Sequence, residues 1–403
     1  MNRRTLNIAL LLVMVTAVVL AQRPRVYLLN ADTLVSVQSA VFKRDARYVP
    51  AVKKLRKDAD KAMKAEIVTV IEKTILPPSG NKNDFFSLSR YWWPDPSKPD
   101  GLPYIRKDGE TNPEVLTIPD HENLMTFFKT VHLLSIAYYY TGDEQYAVRA
   151  AEWIRIRLIT PETRMNPHLR FSQQVRGVDK ERGTGILDGR EFSSTIDAIG
   201  ILRLSRSLTP ADNQAIDRWF LEYYHWLTES PNGKSESNAR NNHGTWYDVH
   251  TSAVALFVGK KETARRIAEE AKEKRIAYQF SPDGEQAEEL ARTLSWHYCQ
   301  FNLTALFRLA TLARHAGVDL FNYSTQDGRS IRKGLDYLIP FAYKEKEWKA
   351  VQLKEFNYDM LAQLSRQAAV EYRDQKYLSV WKKFTPSDPQ SDRGNLLYGI
   401  LAE

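Results

Sequence analysis

From about Glu122 onward, apolar residues recur at helical spacing, and short glycine-containing turns separate one helical stretch from the next. This rhythm constrains the chain more than any other feature, because a helix with one apolar stripe must bury it against another helix. Thr141-Gly142-Asp143 separates an aromatic stretch ending in Tyr138-Tyr139-Tyr140 from the amphipathic stretch 145–158. Val258-Gly259-Lys260 divides Ala253-Val254-Ala255-Leu256-Phe257 from 263–275, and Ala316-Gly317-Val318 ends the stretch carrying Leu303, Leu306 and Leu309. Each glycine can take the left-handed conformation that stops a helix. Repeated hairpins of irregular length, with no run of alternating strands and no Gly-Ser linker, predict an all-α fold. The expected architecture is an (α/α) toroid or barrel of six to seven helical hairpins, its long irregular loops forming the cleft.

The N-terminus reads differently. Met1-Asn2-Arg3-Arg4 precedes an apolar run from Leu6 to Leu20 and then Ala21-Gln22, the pattern of a secretory signal over 1–21. That leaves 22–403 as one toroid domain, exported to the periplasm or secreted, with no stable membrane span after processing. Removing Arg3 and Arg4 lowers the net charge from +8 to +6, which suits an anionic partner. The basic residues are spread among acids without a zinc-finger, RRM or basic-helix pattern, so nucleic acid is not expected. A single cysteine, Cys299, allows no internal disulfide.

Three stretches break the helical rhythm: 80–120, rich in Pro, Gly and aromatics; 160–191, rich in Arg and Gly; and 229–243. Long irregular loops in a compact domain usually carry function. The third runs into Asn241-Asn242-His243-Gly244-Thr245-Trp246, and about fifty residues on come Arg292 and the pair His297-Tyr298. An amide, an imidazole, a guanidinium and a phenol together suit removal of the C5 proton of a uronic acid sugar. A carboxylate resists enolate formation until hydrogen bonds and positive charge neutralise it. Asn242, His243 and Arg292 could do so, while Tyr298 would move protons if its neighbours lower its pKa.

These residues resemble the alginate lyase family of polysaccharide lyases, including related glucuronan-cleaving lyases. The resemblance rests on Asn242-His243, then Arg292 with His297-Tyr298. It extends to Phe85, Ser87-Leu88, Arg90-Tyr91-Trp92-Trp93-Pro94-Asp95-Pro96, Gly101-Leu102-Pro103-Tyr104, and Met165-Asn166-Pro167 leading to Gly183, Gly185 and Asp188. In the alginate lyases that align most readily, a residue or so more separates the Arg from the Tyr, and the His follows the Tyr. Here His297 precedes Tyr298, as in heparinase-like and glucuronan-type relatives, so mannuronate and glucuronate both stay open. The resemblance implies cleavage of an anionic polysaccharide by β-elimination, leaving 4,5-unsaturated ends.

If a helix begins near His243, its free N–H groups favour a docked carboxylate; the plain alternative is that Asn242 merely caps it. Arg292 and Tyr298 would stand about 120° apart on an ideal helix. Arg292 is therefore expected on an irregular entry to the helix of Tyr298, after Ser281-Pro282-Asp283-Gly284. Tyr298 is read as taking the C5 proton and protonating O4, with His243 as charge neutraliser or alternative base. One phenol can do both only when C5–H and O4 leave on the same side, as in mannuronate and glucuronate.

Further substrate contacts are read at Asn241, Arg90, Tyr91, Gln174, Arg182, Arg190 and His121. His297 either packs the helix or tunes the site. Trp92 and Trp246, and less so Trp93, are candidates for stacking on sugar faces. No metal-ligand spacing is present and no cofactor is expected. Two rival readings remain. One is a toroid glycoside hydrolase using carboxylates among Glu236, Asp188 and Asp248, and the other is a non-catalytic protein that binds uronate glycans.

Overall fold

The computed structural model describes residues 23–178, 182–385 and 388–400. The export signal read over 1–21 lies outside them. Helices α1 (Ala31–Phe42) and α2 (Val49–Met63) precede the first irregular stretch, and α3 (Asp120–Thr141) and α4 (Glu144–Ile154) follow it. After the second stretch come α5 (Phe192–Leu202), α6 (Pro210–Glu229), α7 (Pro231–Ser237), α8 (Asn242–Phe257) and α9 (Lys261–Ala271). The chain ends with α10 (Ala287–Leu290), α11 (Ser295–His315), α12 (Ile331–Ala342), α13 (Asp359–Tyr372), α14 (Gln375–Phe384) and α15 (Gly394–Tyr398).

The helices pack as an all-α toroid. α3, α5, α8, α11 and α13 lie side by side in that order, backed by α4, α6, α9, α12 and α14. α3, α5, α11, α13 and α15 together line an axial cavity of about 710 Å³. The hairpin turns follow from their glycines: Gly142, Gly259 and Gly317 take φ of 69°, 79° and 83°, a region costly for residues with a Cβ. Helix α8 is buried from Gly244 to Phe257, so it has no solvent face, as expected of an inner helix of a large core.

Short ribbons stitch the irregular stretches into a wall. β1 (Phe86–Leu88) pairs in parallel with β4 (Phe171–Gln174), and β2 (Trp92–Trp93) pairs antiparallel with β3 (Ile105–Arg106). These ribbons join the 80–120 and 160–191 loops over one end of the toroid, where α8 and α11 begin. Among the described residues no helix is long and apolar enough to cross a membrane.

Candidate active site

All three irregular stretches converge on a cleft of about 440 Å³. Arg90, Tyr91, Trp92, His121, Arg182, Arg190, Asn241, Asn242, His243, Arg292, His297 and Tyr298 line it. The larger axial cavity lies behind Arg190, which borders both spaces. It is lined by none of Asn242, His243, Arg292 and Tyr298, which come together in the smaller cleft.

The α8 terminus is built by capping and buried charge. Asn241, not Asn242, is the cap: its side chain accepts the His243 backbone N–H at 3.1 Å. Gly244 has no room for a side chain, since a Cβ there would stand 2.0 Å from the Ala239 carbonyl oxygen. Buried Arg275 binds Asp248 at 2.7 Å and the Ala239 and Ser237 carbonyls at 2.7 and 3.0 Å. The turn that presents His243 is therefore fixed from beneath. His243 Nδ1 lies 2.7 Å from Oε1 of buried Glu236. Burial alone would depress the imidazole pKa, but the Glu236 charge and hydrogen bond outweigh it and raise it. This contact leaves Nε2 as the nitrogen not committed to Glu236. Asn242 is tied to Glu289, which accepts its backbone N–H at 2.6 Å and its Nδ2 at 2.7 Å.

Arg292 sits in the break between α10 and α11. Its guanidinium bonds Asp108 through Nε at 2.9 Å and through an Nη at 2.7 Å, and its Cζ lies 3.7 Å from the Tyr298 ring centroid. The Tyr298 hydroxyl donates to the Tyr91 hydroxyl at 3.0 Å. Burial, reinforced by Tyr91, pushes the Tyr298 phenol well above its ordinary range, and Arg292 offsets this only in part. The expectation that neighbours lower this pKa is corrected: the free site holds Tyr298 as a neutral phenol, suited to giving a proton.

On the facing wall, Asp188 accepts from Ser87 and Ser172 at 2.7 and 2.9 Å and from Gln173 Nε2 at 2.7 Å. His121 Nδ1 stands 3.4 Å away. Burial would raise the Asp188 pKa, but His121 and these donors hold it well below the usual carboxylate range. Arg90 reaches His121 Nε2 at 3.2 Å. His297 faces the cleft, stacked on Phe301 at 5.7 Å; desolvation and the charge of Arg190 depress its pKa. It is an exposed wall residue, not a buried strut.

Several expectations are corrected. Trp246 is 2% exposed, packed against Phe301 and beneath Arg308, so it belongs to the core and offers no face to a sugar. Gln174 points away from the cleft, and its neighbour Gln173 lines it instead, because successive strand residues face opposite sides. Arg292 is committed to Asp108 and acts on Tyr298 rather than standing free for a carboxylate. Trp92 borders the cleft, but Arg182 lies over its ring at 5.1 Å; Trp93 lies under Lys107 and bonds the Glu110 carbonyl at 3.0 Å. Of the carboxylates open to a hydrolase, Asp248 is bound to Arg275 away from the cleft. Asp188 and Glu236 border the cleft, but each is already engaged by its histidine.

Sequence reasoning missed Asp108, Glu289 and Gln173 and did not pair Glu236 with His243. The Glu236–His243 spacing of seven was the one usable signal. Among the described residues no group of three His, Cys, Asp or Glu could hold a metal ion.

A helical toroid whose cleft is lined by arginines and brings an Asn-His helix start to a phenol defines a polysaccharide lyase. The alginate lyase family profile matches residues 69–348, and the chain belongs to that family. The crystal structure of an alginate lyase from Bacteroides ovatus superposes with TM-score 0.88 at 38% identity, covering 93% of this chain and 99% of that one. A variant of alginate lyase A1-III in complex with a tetrasaccharide shares the fold at TM-score 0.57 and 16% identity, covering 87% and 94%. Alginate lyase A1-III from Sphingomonas species A1 does so at 0.54 and 16%, covering 85% and 93%. No curated protein matches the chain.

Proposed function

We propose that this protein is exported and cleaves alginate at mannuronate units by syn β-elimination, leaving 4,5-unsaturated uronate ends. The observation that carries this reading is that Tyr298, kept neutral, and His243, held through Nδ1 by Glu236, border one arginine-lined cleft. Arg90, Arg182 and Arg190 supply the charge that binds the uronate carboxylates, and the Asn242 amide is assigned the neutralisation of the reacting carboxylate. Neutral His243 takes the C5 proton through Nε2, and the Tyr298 phenol protonates the departing O4. The pKa directions support this division, since Glu236 makes the His243 imidazole the stronger base and burial keeps the Tyr298 phenol protonated until O4 departs.

The 38% identical relative is an alginate lyase, which favours mannuronate over glucuronate as the sugar. Incubation with polymannuronate, polyguluronate and glucuronan, followed by ultraviolet absorbance of the new C4–C5 double bond, tests the reading. Fastest release from polymannuronate supports it. Preference for polyguluronate overturns the syn assignment, and preference for glucuronan overturns the choice of sugar.

A further inference from the structure

Glu289 is a buried carboxylate on α10, and among the described residues it forms no ion pair of its own. The groups facing it are Asn242 and His243 from α8, Arg292 from the α10–α11 break and the Cys299 thiol from α11. Arg292 is already paired with Asp108, and His243 is hydrogen-bonded to Glu236. What holds Glu289 is Asn242, through its backbone N–H and its side-chain Nδ2.

This grip has a chemical cost at the reacting centre. An ionised carboxylate only accepts hydrogen bonds, so it draws the NH2 of the Asn242 amide toward itself. The other branch, Oδ1, is then the one left over; it is buried just behind the cleft wall and makes no hydrogen bond among the described residues. Asn242 borders the cleft, and a leftover acceptor is the wrong end of an amide to offer a uronate carboxylate. A protonated Glu289 reverses the arrangement. Its Oε2–H donates to Asn242 Oδ1, its Oε1 still accepts the Asn242 backbone N–H, and Nδ2 is released toward the substrate.

We propose that Glu289 is a positioning residue that acts by holding a proton, turning the Asn242 amide so that its NH2 faces the sugar carboxylate. The proposal rests on the reading of the cleft as a uronate β-elimination site and names the group that sets its donor. Burial raises the Glu289 pKa to about 7, only partly offset by Asn242, Arg292 and His243, so the switch lies in a range an exported enzyme can meet.

The test is Glu289→Gln, which keeps the shape and fixes the donor pattern: its Oε1 accepts from the Asn242 backbone and its Nε2 donates to Oδ1. Wild type is expected to lose kcat/KM as pH rises through about 7, and the variant is expected to retain at least wild-type kcat/KM near neutral pH and to lack that alkaline limb. Its acid limb is expected to stay in place, because a Glu289 that is already protonated there has no charge to lose. A folded variant that loses roughly 100-fold of activity at every pH, or keeps the wild-type alkaline limb, overturns the proposal.

Equilibrium binding of a mannuronate oligosaccharide to Tyr298→Phe, with and without Glu289→Gln, provides a second readout. Affinity should fall with rising pH through Glu289 in the single variant and less steeply in the double variant; equal slopes overturn the proposal. If wild type forms no unsaturated ends on any uronate polymer, the functional reading itself fails, a result distinct from these.

Discussion

Arg292 lies over the ring of Tyr298 at 3.7 Å while two of its nitrogens grip Asp108. The cation's position over the phenol is thus set by a carboxylate 184 residues away in sequence. A cation on a ring face eases loss of the phenolic proton, which the leaving-group step requires. Asp108→Asn keeps the shape but loses the charge that aims the guanidinium. It should lower kcat about tenfold, roughly 1.4 kcal/mol of barrier, with KM changed less. Steady-state kinetics on alginate checks this, and an unchanged kcat would show that the clamp is idle.

Tyr298→Phe removes the proton donor and little volume. Loss of one general acid should lower kcat by about 100-fold or more while oligosaccharide binding persists. Turnover and calorimetric binding on the same preparation separate the two effects.

Glu236→Gln tests the imidazole. Glu236 raises the His243 pKa, so its loss should lower that pKa and move the acid limb of kcat/KM to lower pH. If His243 is the base, this variant gains relative activity in acid even as its absolute rate falls. A pH–rate profile whose acid limb stays in place would assign that limb to another group.

Acid stability has a defined sign. Burial would raise the Glu191 pKa, but Arg308 at 3.0 Å, with Arg190 and Ser194, lowers it from an ordinary 4.5 to about 2. A depressed carboxylate stabilises the fold above its unfolded pKa, and the contribution is lost as pH falls through the folded value. Wild type should therefore lose stability between about pH 4.5 and 2 more steeply than Glu191→Gln. Thermal unfolding across that range measures the difference.

Asp197 accepts the backbone N–H groups of Tyr27, Leu28 and Leu29 at 2.6, 2.9 and 2.8 Å. Asp197→Ala leaves three donors unmet in a buried place and should cost about 2–4 kcal/mol. Denaturant midpoints check this, with activity retained in the folded fraction.

The toroid was legible because its signals are local: a helical apolar period, and glycines placed where a helix must stop. The reacting set was legible as residue types that one reaction needs together. The partners were not, because Asp108 and Glu289 read in sequence as ordinary surface acids, and only the fold sets them against Arg292 and Asn242. Trp246 misled for a related reason. A motif tryptophan near a site looks like a sugar platform unless one knows that α8 is enclosed on every side. Gln174 missed by one residue, the error that strand alternation magnifies into the opposite face.

The central claim is elimination without water entering the linkage, with His243 and Tyr298 moving the protons. Digestion of polymannuronate, with new reducing ends and C4–C5 double-bond absorbance measured in the same sample over time, tests it most directly. The account predicts one double bond for each new reducing end, and loss of both signals in Tyr298→Phe. Reducing ends that accumulate without that absorbance would mean hydrolysis and would contradict it.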